Sequence, residues 1–233
     1  MDVVAGGEFA VGSDKFGIGL LNKRQENFVN SAYSSVDEAA CRELNRLYVE
    51  EGIISTCKPG CFHCCGQHIL TNIAEAQALA HYIKRKFSRD QIEDLRIRTQ
   101  QWHAWDITRP GRHHPTHIDE QLTFSAYHYC PMLVEGKCSA YSMRPIICRT
   151  HFVCSNPSAC RPFYDPESIE DDPVALKSVM AATNPFSVRI RDHIENAGFN
   201  FYGSIMPLPH WLSIEMNWDF AILPQRKKSN SVI

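Results

Sequence analysis

At 233 residues, with 44% hydrophobic and 21% charged side chains, the chain can bury a core without covalent staples and reads as an ordinary globular domain. A formal net charge of −2 gives no general attraction to nucleic acid or acidic membranes, and no stretch reaches the ~18 apolar residues of a membrane span. The start of the chain lacks a basic segment followed by an apolar run, so the expected setting is cytoplasmic. In that reducing setting, ten cysteines point to metal binding or catalysis rather than to disulfides.

Residues 1–20 are glycine-rich and aperiodic, a flexible lead-in to one helical domain over 21–223; the basic tail 224–233 is expected to fray. A helix is predicted over 22–50. Phe28, Ala32, Val36, Ala39, Ala40, Leu44, Leu47 and Tyr48 recur there at three- and four-residue steps, and Gly52 marks its end. Cys41 falls inside this helix as a small buried core residue. Asn72 and Glu75 then form a capping-box pattern ahead of a stripe of Ile73, Ala76, Leu79, Ala80, Ile83 and Phe87. Ser88 and Gln91 repeat the pattern for a helix carrying Ile92, Leu95, Thr99, Trp102 and Trp105, which the Pro and Gly of "ITRPG" stop.

The loop "RPGRHHPTH" holds His113, His114 and His117 as solvated histidines rather than ligands, and a short helix is expected over 118–129. Residues 130–165 are rich in Cys, Pro and Arg, poor in periodicity, and read as an irregular segment bearing a site. Helices are predicted around 174–182 and from Pro185 to Asn196, followed by an apolar, aromatic C-terminal cap that includes Trp211. The three tryptophans Trp102, Trp105 and Trp211 are read as core packing.

The chemistry lies in two cysteine groups about 65 residues apart: Cys57, Cys61, Cys64 and Cys65, then Cys130, Cys138 and Cys148, with Cys154 and Cys160 trailing. Pro59 and Gly60 supply the turn that lets the thiolates of the first loop converge. Adjacent side chains diverge by ~100° on a helix or ~180° on a strand. Cys64 and Cys65 are therefore not both expected to ligate one small ion; one faces the metal and the other reaches a second iron, a second site or the core. A fourth ligand must come from the distant group, with Cys148 in "RPIICR" the leading candidate. Closing so long a loop through a metal couples binding to folding. Thiolate-rich sites take zinc or iron–sulfur clusters, and the cysteine count alone does not separate the two.

The C-x3-C-x2-C spacing resembles the cluster loop of radical S-adenosylmethionine enzymes. That loop has an aromatic just before its third cysteine; here His63 holds that place and Phe62 comes one residue early. The flanks read as consecutive helices rather than alternating strands and helices.

The larger pattern is "CKPGCFHCC", a capped helix with Glu75, then "CPMLVEGKCSAYSMRPIICRTH". Together these resemble the YkgJ-type cysteine-cluster family, described as zinc- or iron-chelating domains. The likeness rests on the first loop and on Cys130, Pro131, Leu133, Gly136, Cys138, Tyr141, Arg144, Pro145, Cys148 and Arg149, and covers residues 57–151. It implies an iron–sulfur cluster, of the 4Fe–4S kind, held by Cys57, Cys61, Cys64, Cys65, Cys130, Cys138 and Cys148. One branch of the family resembles flagellin lysine-N-methylases that use S-adenosylmethionine. No glycine-rich nucleotide loop of the needed kind occurs here.

Arg144 and Arg149 flank Cys148, where a guanidinium would offset cluster charge, bind an anionic group, or form a structural ion pair with Glu75 or another carboxylate. Tyr141 reads as a packed aromatic with a bonded hydroxyl. His63 is placed next to a cluster sulfur or in solvent, and His151 as a replacement ligand. Cys154 and Cys160 either complete a second site with Cys130 or Cys138 or stay idle. The expected fold is mostly α, with irregular cysteine-rich loops around a metal centre packed on several helices. The expected function is an iron–sulfur protein with a redox partner, in electron transfer or as a cofactor-dependent modifying enzyme; a structural zinc module for protein binding and a methylase-like enzyme are the alternatives.

Overall fold

A computed structural model describes residues 23–108, 128–160 and 173–219. The lead-in, the tail, the loop histidines His113, His114 and His117, and the expected 118–129 helix up to residue 127 lie outside these residues.

The described chain is mostly helical. Helix α1 (Lys23–Glu51) turns Val29, Ala32, Tyr33, Val36, Ala39, Ala40 and Leu47 inward, as its periodicity requires. Its first-turn Glu26 is buried and bonds His81 Nδ1 at 2.8 Å and Arg85 at 3.2 Å. Helix α2 (Ile73–Lys86) starts at Asn72, whose side-chain oxygen accepts from the Glu75 amide at 3.1 Å. The run from Ile73 to Ala80 is buried all round, which its small alanines permit. Helix α3 (Arg89–Thr108) opens on a reciprocal box: Ser88 Oγ accepts from the Gln91 amide, and Gln91 Oε1 accepts from the Ser88 amide.

The predicted helices near 174–182 and 185–196 are one element, α5 (Lys177–Asn196), with Pro185 inside it. Proline there removes only the bond that would reach the Ala181 carbonyl. The helix continues through it because Val179, Thr183, Ile190 and Ile194 form one buried face, and α5 lies along α1. A second correction concerns Cys41, which is exposed on α1 rather than part of the core.

Short elements tie the helices together. Strand β1 (Leu70–Thr71) pairs antiparallel with β4 (Met206–Pro207), and α6 (Leu208–Glu215) follows directly. Helix α6 packs on α2 and α3, where His103 Nε2 meets Ser213 Oγ at 2.7 Å. Trp102 and Trp211 are buried as expected, and Trp211 Nε1 donates to the Ser204 and Thr71 carbonyls. Segment 130–160 is more ordered than expected: strands β2 (Leu133–Val134) and β3 (Lys137–Cys138) form a hairpin. Its two-residue turn, Glu135–Gly136, has positive φ at both positions (50° and 73°), a conformation that favours glycine. Helix α4 (Ile146–Thr150) follows and packs between α1 and α5. Among the described residues no helix is long and apolar enough to cross a membrane.

One polar group joins these parts. Glu75 is buried, and its carboxyl accepts from Tyr33 Oη at 3.1 Å, Thr71 Oγ1 at 3.2 Å, Asn72 Nδ2 at 2.6 Å and the Ile146 amide at 2.7 Å. Replacing it by Ala strands four inward-facing donors. We expect Glu75→Ala to lower the unfolding free energy by about 3 kcal/mol, read from urea denaturation; an unchanged midpoint contradicts this role. Burial raises the Glu75 pKa above its ordinary 4.5, against those donors. Above pH 4.5 the native state thus retains a proton that the unfolded chain has lost. The group's contribution is full below that pH and is lost as pH rises through the native value. Glu75→Gln should remove this part of the pH slope of stability.

Candidate metal centre

The first cysteine loop is shaped by two local turns. Lys58-Pro59-Gly60-Cys61 closes with the Cys61 amide on the Lys58 carbonyl at 3.0 Å, and Gly60 takes φ 89°. Proline then glycine at the two central positions of such a turn suits a positive φ at the second. A single 3-10 turn, His63–Gly66, then carries Cys64 and Cys65. The distant cysteine segment is bonded to this loop through its backbone: the Cys130 amide donates to the Cys65 carbonyl at 2.8 Å. The hairpin brings Cys138 back beside Cys130, and Phe62 lies 3.6 Å from where a Cβ on Gly136 would stand. Helix α4 presents Cys148. It is held in place by the Ile146 amide on Glu75.

All ten cysteines are free thiols. Their mutual influence shows which ones are gathered. Burial first, then the charges of Cys130, Cys64 and Cys138, pushes the Cys148 thiol up. Burial and Cys138 push Cys130 up to about 12. Burial raises Cys138, with Cys64 adding to it. A shared hydrogen bond splits the adjacent pair: it holds Cys64 down to about 7, aided by the Arg144 guanidinium, and raises Cys65, on which burial and the charges of Cys130 and Cys148 also act. Cys64, Cys65, Cys130, Cys138 and Cys148 therefore form one electrostatic neighbourhood.

Cys57 and Cys61 lie toward a different set. Cys160 is buried, and its thiol is raised to about 12 by burial and by the charges of Cys64, Cys57 and Cys61. Cys61 is raised by burial, with Cys64 and Cys57 adding to it. Cys154 turns aside, its Sγ directed to the Val174 carbonyl at 3.6 Å. Among the described residues, no three Cys, His, Asp or Glu side chains already stand at metal-binding geometry.

The two arginines divide the work. Arg149 is buried and structural: Nη1 pairs with Asp37 Oδ2 at 2.6 Å, Nε donates to the Arg144 carbonyl at 2.8 Å, Nη2 donates to the Ser142 carbonyl, and the guanidinium lies over the Tyr33 ring at 4.1 Å. Its charge still lowers Cys138. Arg144 lies over the Tyr141 ring at 4.0 Å, and its charge acts on Cys64, Cys138 and Cys148. Its Nε is buried with no hydrogen-bond partner among the described residues. The ion pair considered for either residue forms at Arg149, with Asp37 rather than Glu75. Tyr141 is half exposed rather than packed inside. His63 stacks on Phe62 at 5.1 Å between centroids.

A cavity of about 550 Å³ lies on the other side of α4. Ile146, Ile147 and Thr150 line it together with Thr71, Asn72 and Glu75. At 3.6 residues per turn, this places Cys148 on the opposite face of the helix. Sequence reading had not found the Glu75–Tyr33 and Arg149–Asp37 links. The signal was a glutamate amid the alanines of "AEAQALA", a helix too apolar all round to leave that carboxylate in water.

Comparison with family models, with curated proteins and with solved structures gave no match.

In the metal-free chain, alkylation at pH 7 should be faster at Cys64 than at Cys65, Cys130, Cys138 or Cys148, because its thiolate is favoured by its hydrogen bond with Cys65 and by Arg144. Arg144→Gln should slow it, and Cys65→Ala should slow it more, because the hydrogen bond is the larger influence. Peptide mapping of the alkylated chain checks this; equal rates in all three contradict it.

Proposed function

We propose that the chain is a cysteine-ligated metal protein holding an iron–sulfur cluster, with Cys65, Cys130, Cys138 and Cys148 as its ligands. The reading rests on one observation: free thiols from two segments about 65 residues apart act on one another's charge where the Cys130 amide bonds the Cys65 carbonyl, beside an arginine with an unpaired buried nitrogen. The donor set fits such a group chemically, since soft thiolates favour iron–sulfur and zinc over hard cations. Burial keeps these thiols protonated in the empty chain, so loading exchanges protons for metal. The resemblance to the YkgJ-type family belongs to the same proposal.

A cluster at this place supplies one-electron transfer. The chain's own residues do the rest. Arg144 offers positive charge and a free N–H toward the thiolates, which favours the reduced state. Arg149 holds the Ser142 and Arg144 carbonyls and so fixes the turn leading into Cys148. Glu75 holds the start of α4. The cavity across α4 offers hydroxyls, an amide and apolar wall to a small substrate. Electron transfer to a protein partner and redox-assisted modification of a substrate both use this arrangement.

Anaerobically purified protein should be brown, with equal iron and acid-labile sulfide. Cys148→Ser should remove the colour, while Cys41→Ser, on the exposed face of α1, should keep it. A colourless protein with stoichiometric zinc overturns the iron–sulfur reading in favour of a structural zinc module.

A further inference from the structure

The ligand set above leaves Cys57, Cys61 and Cys160 without a task. Cys57 and Cys160 both lie against residues 151–155, and Cys61 is set beside Cys57 by the Lys58–Cys61 turn. The Thr56 amide donates to the Val153 carbonyl at 3.0 Å, and Thr56 Oγ1 donates to the Ser155 carbonyl at 2.5 Å. Cys57 Sγ accepts from the Val153 amide at 3.4 Å and lies 4.0 Å from the His151 carbonyl. At the other end of the loop, Gln67 Nε2 donates to the Cys160 carbonyl at 3.3 Å. The 3-10 turn Pro157–Cys160 thereby packs on the His63–Gly66 turn. The His151 ring, part-buried, places Nε2 3.8 Å from Cys160 Sγ. Cys154 is excluded by its contact with Val174.

We propose that Cys57, Cys61, Cys160 and His151 form a second metal site, separate from Cys65, Cys130, Cys138 and Cys148, that takes a soft divalent ion such as zinc. The proposal rests on the reading of the chain as a thiolate metal protein. Three thiolates and one neutral imidazole are a common tetrahedral donor set for zinc. Binding releases the thiol protons and leaves a site of net charge −1. Backbone bonds fix both ends of the loop, and the donors, which do not yet stand at metal-binding geometry, would close on the ion as it binds. Cys160 lies beyond the residues that carry the family resemblance, so this site is a property of this chain. It also gives the doubled cysteine a meaning: Cys65 faces the first set, and Cys64 stands between the two.

The test is anaerobic titration of the reduced, metal-free chain with zinc alone, with bound metal per chain measured by elemental analysis. Wild type should bind one more equivalent tightly than Cys160→Ser or His151→Ala, and Cys154→Ser should match wild type. Cys148→Ser should retain the equivalent that those two variants lose. In a Cys130→Ser/Cys148→Ser chain loaded with one zinc, X-ray absorption should show sulfur at about 2.3 Å and nitrogen at about 2.0 Å. Should Cys160→Ser fail to fold by circular dichroism, His151→Ala, which keeps every thiol, decides. Wild-type metal content in both variants overturns the second site alone. A wild-type chain that binds no metal overturns the proposed function as well.

Discussion

A carboxyl group as deeply buried as that of Glu75 must take its donors from the protein, and Glu75 takes them from four places at once. Tyr33 belongs to α1, Thr71 to β1, Asn72 to the cap of α2, and the Ile146 amide to the first turn of α4. Each donor left unmatched there would cost about 1–3 kcal/mol. The position of α4 relative to α1 and α2 is thereby set by a polar constraint, beyond apolar packing. Because α4 carries Cys148, the same constraint locates a thiol of the candidate centre. Arg149 extends it by pairing with Asp37 on α1 and lying over Tyr33.

This frame lets the thiols remain mobile in charge while fixed in place. Buried cysteines resist ionising, and each neighbouring thiolate raises the next. Burial favours the neutral form of Cys130 and Cys148, while the hydrogen bond with Cys65, aided by Arg144, favours the Cys64 thiolate. On the proposed reading, a bound metal or cluster would replace the lost protons with its own charge. The work of holding the loops has been done beforehand by backbone bonds: Cys130 to Cys65, Thr56 to Val153, and Ile146 to Glu75.

Much of the helical scaffold was legible. The apolar stripe of α1 and the boxes at Asn72 and Ser88 correctly marked three helices, since period and capping are local properties. Two local rules were overridden. Pro185 reads as a boundary, yet packing of both halves of α5 against α1 outweighs one missing hydrogen bond. Cys41 reads as core, yet lies on the outer face of a long helix. The β2–β3 hairpin was hidden because two-residue strands show no alternation.

The sequence by itself determined helices α1, α2 and α3, the two cysteine groups and the turn between Cys57 and Cys61, because spacing, capping residues and a Pro-Gly pair act over a few residues. The doubled cysteine raised the expectation that its thiols serve different neighbours, whereas the two share a hydrogen bond in the fold. Only the tertiary structure decided which thiols feel one another's charge: Cys65 that of Cys130 and Cys148, and Cys160 that of Cys64, Cys57 and Cys61. It also decided that Arg149 is held by Asp37 while the charge of Arg144 acts on the thiols. Those outcomes depend on groups about 40 to 110 residues apart, and such pairings are set by the burial of Glu75 and the packing of α4, which no local pattern encodes.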